Sequence, residues 1–283
     1  MTLVWLNGDL IDQSEARLST TDRGVTLADG VFETILCVGT DALWASDHFE
    51  RLKASANQMS IEIPYNEGIL SKAITDLLRS PPASRCAIRL TVTRGPTFAR
   101  GLWPRAQSSS PTCLLTIAPT EEVSDQAVVV SALTRRNEHS PLSRIKSLSY
   151  GDNILARREA LTRNADDAIM LNTAGNVACA AAGNVFFEIE GRWMTPGLGD
   201  GVLGGLARKR FLKELDAIEA TLSRAQIMSS SAAFVSNSLG VARIERIEGH
   251  RLPGKLNGDM ISSIYQTQSP RDFGADGSLC SIR

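Results

Sequence analysis

The sequence predicts an α+β protein of two domains, and three observations carry that expectation. The chain of 283 residues is long for a single hydrophobic core. Its first part is strand-rich but holds two strongly amphipathic helical patterns. Its second part, after the polar connection APTEEVSDQA at 118–127, repeats the mixture with strands and helices of its own. We place a smaller N-terminal domain at 1–120, a larger C-terminal domain at 121–268, and a loop-like tail at 269–283.

Taken in order, LVWLNGDLI alternates around Asn7-Gly8, a hairpin signal. GVFETILCV followed by ALWAS reads as a second strand pair. SDHFERLKASANQMSI opens on Ser46 or Asp47 as N-cap and spaces Phe49, Leu52, Ala56 and Met59 at helical intervals. NEGILSKAITDLLRS is a second amphipathic helix, stopped by Pro81-Pro82. RCAIRLTVTRG and TCLLTIAPT are β-branched and apolar, hence strands. Beyond the connection, AVVVSAL is a strand and YGDNILARREALTRN a helix. The stretch 166–196 reads as short strands with Gly and Asn turns. GVLGGLARKRFLKEL is a helix with Leu206, Phe211 and Leu215 near one face, and RAQIMSSSAAFVSNSLGVARIERIEG returns to strand.

Composition excludes several functions. A hydrophobic content of 43% with 22% charged residues is that of an ordinary globular protein. A formal net charge of −1 leaves no basic face for nucleic acid or for an anionic membrane surface. No stretch approaches the roughly 18 apolar residues a membrane helix needs, and the opening MTLVWLNGDLID has no basic segment ahead of an apolar run. The five cysteines (37, 86, 113, 179, 280) are odd in number and form no CxxC pair, as expected of reduced thiols in a cytoplasm. Three scattered histidines give no metal-ligand pattern, and no metal is expected.

Against that background one lysine stands out. Of 30 basic residues only six are Lys, at 53, 72, 146, 209, 213 and 255. Lys146 lies in IKSLSYGDN, four residues before Tyr150. An amine can lose its proton and act as a nucleophile, whereas a guanidinium effectively cannot. As a bare residue it reads as a surface lysine ahead of a helix. Two features argue for chemistry: the glycine-rich helix start GVLGGLAR, whose backbone N–H groups suit a phosphate, and Arg51 in an amphipathic helix, a potential bidentate phosphate donor. An aldehyde to capture, an anion to neutralise and a phenol to hydrogen-bond are together what pyridoxal phosphate requires.

Seven segments in order, DRGVTLADGVFET, HFERLKASA, TRGPTFARG, IKSLSYGDNILARREA, GNVACAAAGNVFF, TPGLGDGVLGGLAR and FVSNSLG, resemble the fold-type IV pyridoxal-phosphate enzymes, or class IV aminotransferase family. The family includes branched-chain and D-amino-acid aminotransferases and aminodeoxychorismate lyases. The resemblance implies a barrel-like C-terminal domain, the cofactor in the cleft between domains, and a homodimer in which a loop at 94–101 reaches the partner's site. It assigns Lys146 to the Schiff base and proton transfer, Arg51 to the phosphate, and Tyr150 to the cofactor's 3-oxygen. Leu203, Gly204 and Gly205 match the helix start that holds the phosphate, and Ser238 matches a hydroxyl added there. Without the resemblance Ser238 is an ordinary turn residue.

The departure is Cys179, which stands where the family has a glutamate pairing with the pyridine nitrogen; Gly183-Asn184 take the place of the later Ser-Asn or Ala-Asn step. A thiol, with an ordinary pKa near ~8.5, either offers the nitrogen a weak hydrogen bond or, as a thiolate, restores the pair. Read without the family, Cys179 is a small buried filler in an alanine-rich strand. At the substrate end Arg94 and Arg100 are candidates for a carboxylate, Arg100 the preferred one, though both also read as loop arginines facing water. Phe32 takes a place where many aminotransferases of the family have Tyr. Arg135 and Arg136 follow a strand and are candidates to face the cofactor cleft. The expected activity is amino transfer between a small amino acid and a 2-oxo acid. The alternatives are an aminodeoxychorismate lyase releasing pyruvate and 4-aminobenzoate, and a cofactor-binding protein whose catalysis is weakened by Cys179.

Overall fold

A computed structural model describes residues 2–97, 101–103, 110–121 and 126–265, which fall into two units. The first holds the described residues up to Glu121 together with Tyr265; the second runs from Gln126 to Ile264. The expected tail at 269–283 lies outside the described residues, as do residues 122–125 of the connection at 118–127.

The first unit is an antiparallel sheet covered by two helices. Asn7 and Gly8, with φ of 51° and 111°, turn β1 (Leu3–Leu6) into β2 (Asp9–Asp12), the left-handed pair a tight hairpin demands. A short helix not foreseen from the sequence, α1 (Arg23–Leu27), is capped by Asp22, whose carboxylate accepts from Gly24 N at 2.7 Å. β3 (Gly30–Val38) then pairs with β5 (Arg85–Thr93) in unbroken register from Gly30↔Thr93 to Val38↔Arg85. With β4 (Asp41–Ala42) and β6 (Thr112–Pro119) the order is β2-β1-β6-β5-β3-β4.

The expected strand ALWAS is cut short by the tertiary structure: β4 ends at Ala42, and α2 (Ala45–Gln58) begins before Ser46. Its N-cap is Trp44 in a left-handed conformation (φ 56°) with no side-chain cap, so neither Ser46 nor Asp47 caps it. α3 (Glu67–Leu77) starts as read, with Asn66 accepting from Ile69 N at 3.0 Å. Phe49, Leu52 and Ala56 of α2, and Leu70, Ile74 and Leu77 of α3, bury against Ile35, Ile88, Leu90 and Leu115 of the sheet. Burial of each of the larger of these side chains is worth about 1.5–3 kcal/mol; the helical spacing in the sequence is the imprint of that one-sided burial.

The second unit is a mixed, curled half-barrel sheet in the order β12-β11-β10-β13-β14-β7-β8-β9, with β15 on β14. Its strands are β7 (Ala127–Ser131), β8 (Asp167–Leu171), β9 (Val177–Ala180), β10 (Asn184–Ile189), β11 (Arg192–Thr195), β12 (Ile218–Glu219), β13 (Ala232–Asn237), β14 (Gly240–Ile247) and β15 (His250–Arg251). Between them lie α4 (Gly151–Thr162), α5 (Leu206–Glu214) and α6 (Arg224–Met228), and α7 (Gly258–Tyr265) follows β15. Val185, Phe187, Ile169, Val177 and Ile227 form one apolar cluster. Ala156 and Ala160 of α4 pack with Ala168, Met170, Ala178 and Cys179 in another. Phe186 stacks on Phe234 at 4.8 Å with Phe211 of α5 beside them, holding α5 against the sheet. The sequence reading began that helix at Gly201, but Gly201 takes φ 84° and helix starts only at Leu206. The five residues ahead of it are free to form a loop.

Candidate active site

Lys146 and Tyr150 are brought together by a turn rather than by a helix face. A 3-10 turn at Pro141–Arg144 is capped by Ser140, and Ile145 is extended after it. Tyr150 is the N-cap residue of α4. Both side chains are half-buried, and Lys146 Nζ donates to Tyr150 Oη at 3.4 Å. The lysine amine therefore has a fixed orientation and a phenol beside it.

The glycine-rich segment is a loop clamped by side chains. Asp200, buried, accepts from Asn172 Nδ2 at 3.2 Å and from Thr221 Oγ1 at 3.2 Å. Arg136 Nε donates to the Gly201 carbonyl at 3.1 Å. Asn184, the first residue of β10, donates from Nδ2 to the Leu203 carbonyl at 2.9 Å. Gly205 is the N-cap of α5 and has no side-chain cap. A Cβ on Gly205 would lie 2.0 Å from Asn184 Oδ1, so only glycine lets the loop close on that asparagine. Tying the Leu203 carbonyl to Asn184 leaves the N-terminal end of α5 as a site of N–H groups, the polarity an anion needs. Ser236 Oγ, whose residue pairs with Asn184 across β10 and β13, is buried without a hydrogen-bond partner. Ser238 lies half-buried in the turn that follows β13.

An amine held against a phenol, an uncapped helix start and an orphaned buried hydroxyl fit the donor set of pyridoxal phosphate. The position that the family resemblance gives to the partner of the ring nitrogen is less usual. Cys179, on β9, is buried among Val130, Ala156, Ala168 and Met170. Burial pushes its thiol up; Arg136 draws it down and Asp167 pushes it up further. Of the two states left open by the sequence, these surroundings favour the neutral thiol.

The remaining candidates lie in the first unit. Arg51 donates from Nε to Glu33 Oε1 at 2.8 Å and from Nη2 to Oε2 at 2.6 Å, while His48 Nδ1 lies 2.7 Å from Oε2. Burial raises the Glu33 carboxyl, but the Arg51 and His48 contacts overcome this and bring it to about 2. Phe32 is buried on β3 with the Arg89 guanidinium 3.8 Å from its ring centre. The expectation that Arg94 faces a substrate carboxylate is corrected by the structure. Its buried guanidinium makes a fork with Asp29 at 2.8 and 3.1 Å and donates to the Met59 and Ser60 carbonyls at 2.7 and 2.8 Å. A carboxylate of the chain itself already occupies the fork. Arg100 lies outside the described residues. Arg135 is exposed, whereas Arg136 joins the segments around Lys146.

Sequence reasoning missed Glu33, Asn153 and Asp200. For Glu33 a signal was present: a lone carboxylate inside the apolar strand GVFETILCV needs a buried partner. Asn153 and Asp200 carry no such mark, because their work is to bond carbonyls, amides and hydroxyls from distant segments.

With this geometry in hand, comparison with known families is decisive. The family described as amino-transferase class IV matches residues 30–247. The chain belongs to the class IV aminotransferase family. As a class IV chain it is 26% identical over 258 residues to a D-alanine aminotransferase of Staphylococcus haemolyticus, covering 89% of this chain and 91% of that one. It is 24% identical over 282 residues to a branched-chain-amino-acid aminotransferase of Pseudomonas aeruginosa, covering 93% and 91%. Its fold matches the branched-chain aminotransferase of Thermoproteus uzoniensis with TM-score 0.84 at 24% identity, covering 93% of each chain. A Legionella pneumophila structure provisionally named a 4-amino-4-deoxychorismate lyase matches with TM-score 0.80 at 26% identity, covering 89% and 94%. The fold-type IV architecture is thus established. No helix among the described residues is long and apolar enough to cross a membrane.

Proposed function

We propose that the chain is a pyridoxal-phosphate-dependent aminotransferase that moves an amino group between a small amino acid and a 2-oxo acid, with Lys146 as the catalytic lysine. The observation that carries this reading is the pairing of Lys146 Nζ with Tyr150 Oη in the same unit as the clamped glycine loop. The cofactor, when bound, supplies an aldehyde and an electron-withdrawing ring. The chain supplies the rest. Lys146 is the amine that carries the aldehyde and moves the proton at the substrate's α-carbon. Tyr150 orients that amine and presents a hydroxyl beside it. The backbone from Leu203 to Gly205, with Ser238, would receive the phosphate, and Asn184 fixes that loop by holding the Leu203 carbonyl. Arg51 is proposed as a further phosphate ligand on the family resemblance, with Glu33 fixing its guanidinium. A homodimer and a cytoplasmic location are proposed on the same resemblance.

The second reading, release of pyruvate and 4-aminobenzoate from aminodeoxychorismate, is supported by the likeness to the Legionella protein. A neutral thiol in place of a carboxylate would weaken the electron sink for either reaction. One experiment separates them. The purified protein is loaded with pyridoxal phosphate and its absorption followed on adding D-alanine, a panel of L-amino acids, and aminodeoxychorismate in turn. Bleaching by an amino acid with appearance of its 2-oxo acid supports amino transfer; pyruvate released only from aminodeoxychorismate supports the lyase. A protein that takes up no cofactor refutes both.

A further inference from the structure

The geometry points to Arg136 as a positioning residue that fastens the lysine segment to the anion-binding loop through one rigid guanidinium. This rests on the functional reading above and deepens it. Arg136 Nη2 donates to the Ser143 carbonyl at 2.8 Å, three residues before Lys146. Nη1 donates to Asn153 Oδ1 at 3.3 Å, in the first turn of α4 just past Tyr150. Nε donates to the Gly201 carbonyl at 3.1 Å, two residues before Leu203. Asn153 in turn donates from Nδ2 to the Ala181 carbonyl at 2.7 Å, beyond the strand that holds Cys179.

The backbone of Arg136 is itself held. Its N–H donates to the Leu171 carbonyl at 2.9 Å, and the residue bridges Asn172 in parallel register. The loop also presses closely on this segment: a Cβ at Gly201 would lie 2.8 Å from Glu138 Cα and 3.3 Å from Arg136 Cγ. Gly201 is therefore required both for its φ of 84° and for this approach.

All three acceptors of the guanidinium are neutral, and among the described residues no carboxylate lies within ion-pair distance of it. Arg94, by contrast, is paired with the Asp29 carboxylate. Here a planar fork is used for its shape, since three N–H vectors at fixed angles reach three separate segments. A lysine keeps the charge but cannot span them.

The test uses Arg136→Lys and Arg136→Met in the full chain, with Arg243→Lys as control. Arg243 also bonds a backbone carbonyl, that of Gly254 at 2.8 Å, but none of the segments around Lys146. The readouts are pyridoxal-phosphate affinity by absorption titration, visible circular dichroism of the bound cofactor, and the melting temperature of the cofactor-free protein. Both Arg136 variants are expected to lose about tenfold or more in affinity, as for ~1.4 kcal/mol, and to show a weaker dichroic band. Arg243→Lys is expected to alter melting alone. If Arg136→Met does not fold, Asn153→Ala replaces it and is expected to shift affinity the same way by a smaller factor. Parent affinity and an unchanged band in Arg136→Lys refute the inference, as does an equal loss in Arg243→Lys. A parent protein that takes up no pyridoxal phosphate overturns the functional reading, and this inference with it; a parent that binds while the Arg136 variants bind equally overturns this inference alone.

Discussion

Replacing Glu33 by Gln tests the electrostatics of the first unit directly. The carboxylate is fully buried and is shared by Arg51 and His48 at 2.6 to 2.8 Å. Its pKa falls from an ordinary 4.5 to about 2 because the charge-assisted bonds outweigh the cost of burial. At about 1.4 kcal/mol per pH unit this corresponds to about 3 kcal/mol of stability at neutral pH. Removing one partner of a buried pair costs about 3–5 kcal/mol in general, which agrees. Since the folded-state pKa lies below the unfolded one, the contribution is complete above about pH 4.5 and drains away as the pH falls toward 2. Urea unfolding of parent and Glu33→Gln, followed by tryptophan fluorescence from pH 7 down to pH 3, should show a gap of about 3 kcal/mol at pH 7 that narrows below pH 4.5. A gap under about 1 kcal/mol at pH 7, or one that stays constant with pH, would refute the reasoning.

Three further outcomes are expected. Gly205→Ala forces a Cβ against Asn184 Oδ1; overpacking of this kind costs about 1–3 kcal/mol, and calorimetry of the cofactor-free protein should show that loss along with weaker pyridoxal-phosphate binding in titration. Arg94→Gln leaves Asp29 with Arg23 alone and frees two carbonyls; it should destabilise by roughly 2–4 kcal/mol in urea unfolding, with substrate KM unchanged in the steady state. Cys179, buried and with its thiol pushed up, should resist alkylation at pH 8 in the native protein and react only on unfolding, as mass spectrometry of iodoacetamide-treated samples would report.

Much of the fold was legible because local patterning and tertiary burial agree. The Asn7-Gly8 hairpin is marked by its turn residues, the one-sided helices α2 and α3 and the strand β5 show the period of the surface they bury, and β3 and β6 are marked by their apolar runs. Where local signals competed, the reading slipped. Ser46 and Asp47 are good caps, yet Trp44 ends the preceding chain in a left-handed turn and α2 starts ahead of them. GVLGGLAR has no proline to mark its boundary, so the loop before Leu206 was read as helix.

By itself the sequence determined the chemistry on offer: one lysine four residues from a tyrosine, a glycine-rich helix start, and a cysteine where the family keeps a glutamate. Each of these is a local fact about residue type and spacing. Only the tertiary structure decided how they are used. It spent Arg94 on Asp29, surrounded Cys179 with alanines and methionine, and made Arg136 the common anchor of three segments. Those outcomes turn on which distant carbonyls and carboxylates come within about 3 Å of one another, and separations of tens of residues along the chain leave no periodic trace of that.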